Sequence, residues 1–272
     1  MQMYEARLAA ISAAANLNIE GTPVSKRATH FAIRFLIGEI TREEFFAKCA
    51  TEVTYARLVS CSSAIKPEDF TLEKLCSMHE YIYSPKEGCG TIRTTELNLT
   101  GGSCTAPGLL RGSLKNVLSR LCQTKGSPSL SKADFAAELC CYVRELIILS
   151  PFAYGNGVVR RAFIQNFCRS RGFTLTYASA SARELTDAAT AAFAGDDPQP
   201  LFTVLIKCLN YFTEPSASTR RARSAELEPV QNRKPAVAEP DTEKILKELY
   251  GVQKALGDMT AHIEALIESL KK

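Results

Sequence analysis

The stretch SPFAYGNGVVRRAF, Ser150 to Phe163, restricts the fold of this chain more than any other. Ahead of it, Ser131 opens a run with apolar residues at Phe135, Leu139, Val143 and Leu146, the spacing of one helix face. Ser131 is a good N-cap and Asp134 suits the first turn. Pro151 stops that helix. Behind the stretch a second helix passes through Phe163 and Phe167 and stops at Gly172. Two apolar helices therefore meet at the turn Gly155-Asn156-Gly157. Glycines around an asparagine let successive N–H groups point into one concavity, a nest for an anion. The helix that follows adds its positive end. Arg160 and Arg161 lie on its first turn, within reach of a polyphosphate. The plainer alternative is a tight interhelical turn with surface arginines, because Asn-Gly turns are common.

Four blocks organise the chain. Residues 1–48 read as two or three short helices. Leu8, Ile11, Ala15 and Ile19 form an apolar stripe, Gly21-Thr22-Pro23 breaks it, and Ser25 caps a helix ending near Gly38. Thr41 and Glu44 make a capping box for a third. Residues 49–213 are mostly helical. Gly90 to Gly102, rich in Thr and bounded by Gly, reads as a strand or hairpin, and Pro200 to Phe212 as a core helix. Residues 214–240 hold Pro, Ser, Ala, Arg and Glu with few large apolar side chains, the composition of a disordered linker. In 241–272, Ile245, Leu249, Val252, Leu256, Met259, Ile263, Leu266 and Leu270 alternate spacings of four and three, a coiled-coil seam. It predicts a homo-oligomer. Leu246 and Ile267 widen the stripe, which leaves more than two strands or a separate partner open. The fold class expected is mainly α.

A net charge of +4 on 272 residues does not argue for nucleic acid, and 46% hydrophobic residues support a real core. No apolar run approaches the roughly 18 residues of a membrane span, so a soluble, cytoplasmic protein without membrane contact is expected. The ten cysteines include no C-x-x-C pair and no His at ligand spacing, so no metal site is assigned. Cys140, Cys168 and Cys208 fall on helical apolar faces and read as reduced, buried thiols.

Helix, SPFAYGNGVVRRAF, helix, preceded by the segment TIRTTEL, resembles the Fic family of protein nucleotidyltransferases, whose motif is H-P-F-x-[D/E]-G-N-G-R-x-x-R. Pro151, Phe152, Gly155, Asn156, Gly157 and Arg161 match, over a region from about Phe70 to Phe212. The resemblance implies a helical bundle with a β-hairpin flap that aligns a protein target, here Thr91, Ile92, Arg93 and Thr94. It implies that Gly155, Asn156, Gly157, Arg160 and Arg161 hold ATP phosphates. It also implies a histidine that deprotonates the target hydroxyl, an acidic residue that holds magnesium, and transfer of AMP. Here Ser150 stands at the histidine position, Tyr154 at the acidic position and Val158 at the first arginine position. Serine is no general base at neutral pH. Tyrosine does not replace a carboxylate on magnesium, so ATP fits the pattern better than the metal does. His79 lies in the helix leading to the flap, and the sequence does not place it beside Ser150.

Ala15 to Phe46 is similar to the VbhA-type antitoxins, whose inhibitory helix carries [S/T]-x-x-x-E-[G/N]. Glu20-Gly21 fits the end of that motif and Asn16 stands at the Ser/Thr position. The resemblance implies that Glu20 pairs with Arg161 and restrains nucleotide binding. Three functions remain open at this level: a self-inhibited pseudoenzyme that binds a nucleotide or partner, an atypical transferase acting on Ser, Thr or Tyr hydroxyls, and an interaction protein acting through its C-terminal helix. The setting implied is a bacterial cytoplasm, or a host cell if the chain is a secreted effector.

Overall fold

Helix α8 (Asn156–Ser170) is buried on nearly every side, by Val158, Val159, Ala162, Phe163, Ile164, Phe167 and Cys168. Its buried residues, Arg161 included, lie on more than one face, which makes it a core helix. The computed structural model describes residues 1–61, 70–127, 129–195 and 197–212, all within one unit, Met1–Glu214. The expected linker 214–240 and coiled coil 241–272 lie outside the described residues.

The described residues form nine other α-helices. They are α1 (Met3–Ile19), α2 (Lys26–Leu36), α3 (Arg42–Lys48), α4 (Val53–Cys61), α5 (Leu72–Tyr83), α6 (Pro107–Gln123), α7 (Lys132–Leu149), α9 (Ala182–Ala194) and α10 (Gln199–Cys208). Helix α7 runs antiparallel into the turn before α8, presenting Phe135, Leu139, Val143 and Leu146 inward. Aromatic rings join the layers. Phe70 meets Phe163 and Phe167 edge-on, each at 5.3 Å, and Phe135 stacks on Phe173 at 4.2 Å. Cys140, Cys168 and Cys208 are buried, and burial pushes the Cys140 and Cys208 thiols up to about 11, leaving them protonated.

The caps form as the sequence predicts. Ser25 accepts from the Ala28 N–H, Ser131 from the Asp134 N–H, and Thr41 and Glu44 complete a capping box. Two antiparallel pairs of strands supplement the bundle: β1 (Asn98–Leu99) with β2 (Gly102–Ser103), and β3 (Phe173–Leu175) with β4 (Leu209–Tyr211).

Three expectations need correction. The buried stripe of α1 is Ala6, Ala10, Ala13 and Leu17; Ile11 is exposed, and Leu8, Ala15 and Ile19 are only partly covered. Alanines let α1 lie close to its neighbours, near enough for the Tyr55 hydroxyl to donate to the Ala10 carbonyl at 3.1 Å. The hairpin is confined to residues 98–103, because Arg93 ties the preceding segment to the end of α7. The apolar run from Pro200 ends as a strand, β4, whose pairing with β3 outweighs its helical pattern.

Phe163 is fully buried between Phe70 and the rest of the core. Phe163→Ala is expected to cost about 3–5 kcal/mol of stability, measured by urea unfolding of the full chain.

Candidate functional site

Helix α1 ends where Gly21 takes the left-handed conformation at φ 73°. The Thr22 N–H reaches the Leu17 carbonyl at 3.1 Å and the Gly21 N–H reaches Asn18 at 3.0 Å, a Schellman ending. That ending leaves Glu20 as the C-cap, directly after the last helical residue Ile19. Three polar residues four apart, Ser12, Asn16 and Glu20, thereby share the face of α1 turned toward α8.

All three meet partners on α8. Ser12 Oγ accepts from Gln165 Nε2 at 2.7 Å. Asn16, fully buried, donates through Nδ2 to the Val158 carbonyl at 3.0 Å. Asn16 Oδ1 accepts from Arg161 Nε at 2.6 Å, and its carbonyl accepts from Arg161 Nη2 at 3.0 Å. Glu20 Oε1 lies 2.6 Å from the same Nη2. The arginine side chain is 10% exposed and the glutamate 45%, so one buried cation is satisfied by a half-exposed carboxylate and a buried amide. The expected Glu20–Arg161 pair therefore forms. The sequence reading missed Ser12 and Gln165; the four-residue spacing of Ser12, Asn16 and Glu20 is the signal that could have found them.

The turn itself is held from within. Asn156 Oδ1 accepts from the Phe152 N–H at 2.8 Å, and its Nδ2 donates to the Phe152 carbonyl at 2.7 Å. The Asn156 side chain thus shapes the loop, and what it can offer an anion is the backbone N–H at the start of α8. Side chains at the glycines would collide: a Cβ on Gly155 would lie 2.3 Å from the Tyr83 ring, and one on Gly157 would lie 2.1 Å from Glu20 Oε1. The Glu20 carboxylate therefore sits over the N-terminal turn of α8, where a helix favours negative charge.

A cavity of about 260 Å³ opens beside this turn. Asn156, Gly157, Arg160, Arg161, Glu20 and Ser150 reach it from one side, and Leu185, Ala189 and Phe193 of α9 wall the other. Leu99 and Thr100 of the hairpin form its rim. Arg160 lines the cavity and its Nε is buried without a hydrogen-bond partner among the described residues.

Ser150 and Tyr154 are engaged by main-chain carbonyls, and Val158 packs in the core. Ser150 is buried in a left-handed conformation, φ 36°, and its Oγ donates to the Ile147 carbonyl at 2.7 Å. The Tyr154 hydroxyl donates to the Glu87 carbonyl at 2.9 Å, and Lys86 Nζ lies 3.7 Å from the centre of its ring. Val158 is buried. His79 sits under the loop, stacked on Phe152 at 3.9 Å. Its Nδ1 accepts from the Gly90 N–H at 2.8 Å, which leaves the proton on Nε2, 3.0 Å from the Tyr154 carbonyl. Both ring nitrogens are used by backbone, so His79 is a loop support rather than a base. Of the four expected flap residues, Arg93 is buried. It donates to the carbonyls of Ser150 (2.9 Å), Thr95 (2.8 Å), Leu149 (3.3 Å) and Thr105. Its role is to fasten the segment to the end of α7. Thr91 and Thr94 are exposed and Ile92 is half-buried.

No protein-family model matches the chain. It is similar to a protein adenylyltransferase of Bartonella henselae, with 25% identity over 173 residues. That match covers 58% of this chain and 32% of that protein, so the chain spans about a third of the length of its curated relative. Among solved structures it is similar to the BepC protein of Bartonella tribocorum, a VirB-translocated effector with bound AMPPNP. The identity is 19% and the TM-score 0.53, covering 62% of this chain and 88% of that one. It is equally similar, at 19% and 0.53, to the N-terminal Fic domain of a Bep effector of Bartonella quintana with bound ADP, covering 62% and 86%. The fold is that of the Fic domain.

Two measurements follow from this geometry. Asn16→Ala strands the buried Arg161 Nε and is expected to cost about 1–3 kcal/mol in chemical denaturation. Burial holds His79 below the ordinary imidazole value of 6.5, so the unfolded chain takes up its proton more readily. The stability from neutral His79 is present above pH 6.5 and declines as pH falls toward the folded value. Thermal melts between pH 7.5 and 5 should show that decline, and His79→Gln should flatten it.

Proposed function

We propose that this Fic-fold chain is a self-restrained pseudoenzyme that holds a nucleotide or a related phosphate ligand in the cradle at the start of α8. The observation that carries this reading is the disposition of Ser150. Its hydroxyl is buried and donates to the Ile147 carbonyl of its own helix, and a serine hydroxyl is no general base at neutral pH, so it does not supply the group that would deprotonate an attacking hydroxyl. Losing a general base typically slows such chemistry by about 10²–10⁴-fold. Tyr154, turned to the Glu87 carbonyl, offers no carboxylate for a metal.

The binding half of the site supports retention of a ligand. The Gly155-Asn156-Gly157 turn keeps its internal lock, α8 points its N-terminus at the cavity, and Arg160 and Arg161 line it. Glu20 occupies the approach to that N-terminus and acts as the restraint. A protein segment would pair with the exposed hairpin 98–103, beside the cavity rim, and the heptad 241–272 would bring copies of the chain together. The second reading, an active transferase of unusual mechanism, is favoured by one observation. The Glu20–Arg161 pair is intact, and a restraint is most useful where something is restrained.

Incubating Glu20→Gly protein with ATP and magnesium, with intact mass as the readout, separates the two. No covalent increment is expected. ATP binding by Glu20→Gly, followed by equilibrium dialysis, should fall about tenfold or more when Arg161→Ala is added. A covalent increment that disappears with Ser150→Ala would establish the transferase instead.

A further inference from the structure

The donor atoms around the cradle do not suit magnesium. A hard divalent cation takes oxygen ligands in near-octahedral array, usually with one or two carboxylates. Among the described residues Glu20 is the single carboxylate lining the cavity, and it is bonded to Arg161. Ser150 Oγ and the Tyr154 hydroxyl each donate to a main-chain carbonyl, and Thr186 Oγ1 donates to Ala182 at 2.9 Å. Among the described residues no three of His, Cys, Asp and Glu come together. Two guanidiniums on the same wall repel a dication.

The same residues suit an anion. Arg161 is matched by Glu20 and Asn16, whereas Arg160 brings a second positive charge with its Nε buried and unpartnered. A polar group left in that state costs free energy until a ligand satisfies it. Burial and then the neighbouring Arg161 push the Arg160 guanidinium down to about 10, which still leaves it a cation at neutral pH.

We infer that this cradle takes its phosphate ligand as the bare polyanion, without a divalent cation, and that Arg160 supplies the second positive charge at the phosphates. The inference rests on the reading of the site as a phosphate cradle given above. A nucleoside diphosphate is the ligand class it fits: two phosphates for the two guanidiniums and the helix N-terminus, with Leu185, Ala189 and Phe193 for the remainder. Position 160, one residue before Arg161, then sets the ligand's metal requirement.

Isothermal titration of the full chain carrying Glu20→Gln, with ADP and separately with inorganic pyrophosphate, in magnesium and in EDTA, tests this. The expected result is binding in EDTA within roughly threefold of that in magnesium, and a loss of about tenfold or more on adding Arg160→Gln. Arg160→Lys should fall between, because a point charge replaces a planar fork. Binding of ADP in magnesium but not in EDTA would overturn the metal-free inference while leaving the nucleotide reading intact. Unchanged affinity in Arg160→Gln would overturn the role of Arg160, and a loss in Arg160→Lys as large as in Arg160→Gln would overturn the view that its charge is what matters. Failure of both probes under both conditions would remove the cradle reading itself. If Arg160→Gln does not fold, the magnesium comparison and Arg160→Lys decide the matter.

Discussion

A buried arginine costs free energy unless its charge and N–H groups are met, and the arrangement of this molecule around Arg161 supplies a carboxylate and two further acceptors. The side chain leaves α8 into a space closed by α1, where Asn16 contributes both its amide oxygen and its main-chain carbonyl, and Glu20 contributes a carboxylate. Those acceptors arrive together only if α1 lies close to α8. The alanines at positions 6, 10 and 13 allow that approach, and the Schellman ending at Gly21 stops the helix with Glu20 as its cap. Packing and electrostatics are therefore one problem here: a bulkier inner face on α1 would leave a charge buried without its partners.

The loop before α8 is braced by a second set of polar contacts. Asn156 closes the loop on itself, His79 supports it from below, and Arg93 gathers the carbonyls at the end of α7. These contacts occupy the groups nearest the turn. Ser150 and Tyr154 are drawn into the same bracing, with their hydroxyls donated to main-chain carbonyls. A loop stiffened in this way holds the start of α8 against the cavity. Arg160 is the exception: it lines the cavity, and its buried Nε has no hydrogen-bond partner among the described residues.

Much of the frame was legible along the chain. The caps at Ser25, Thr41 and Ser131, the stop at Pro151 and the core character of α7 and α8 rest on interactions within a few residues, so local pattern is enough to find them. The Glu20–Arg161 pair was accessible through the resemblance to two families, not through spacing. The face of α1 was misjudged because alanine carries a weak hydrophobic signal, and larger residues at 8, 11 and 19 outweighed it. The segment 91–97 was read as a strand because Thr favours extended backbone. Its extension serves a different end, since Arg93 reaches a carbonyl 57 positions away.

The residues alone determined what this site lacks. Ser150 carries no basic group and Tyr154 no carboxylate, whatever surrounds them. They determined the turn as well, because glycine, asparagine and glycine in that order favour one local geometry. The tertiary structure alone decided how the charges are apportioned: Arg161 committed to α1 across more than a hundred positions of chain, and Arg160 left to face the cavity. Adjacent arginines on one helix look equivalent in a sequence. They differ only because α1 packs against one of them, and contacts between distant segments set that difference.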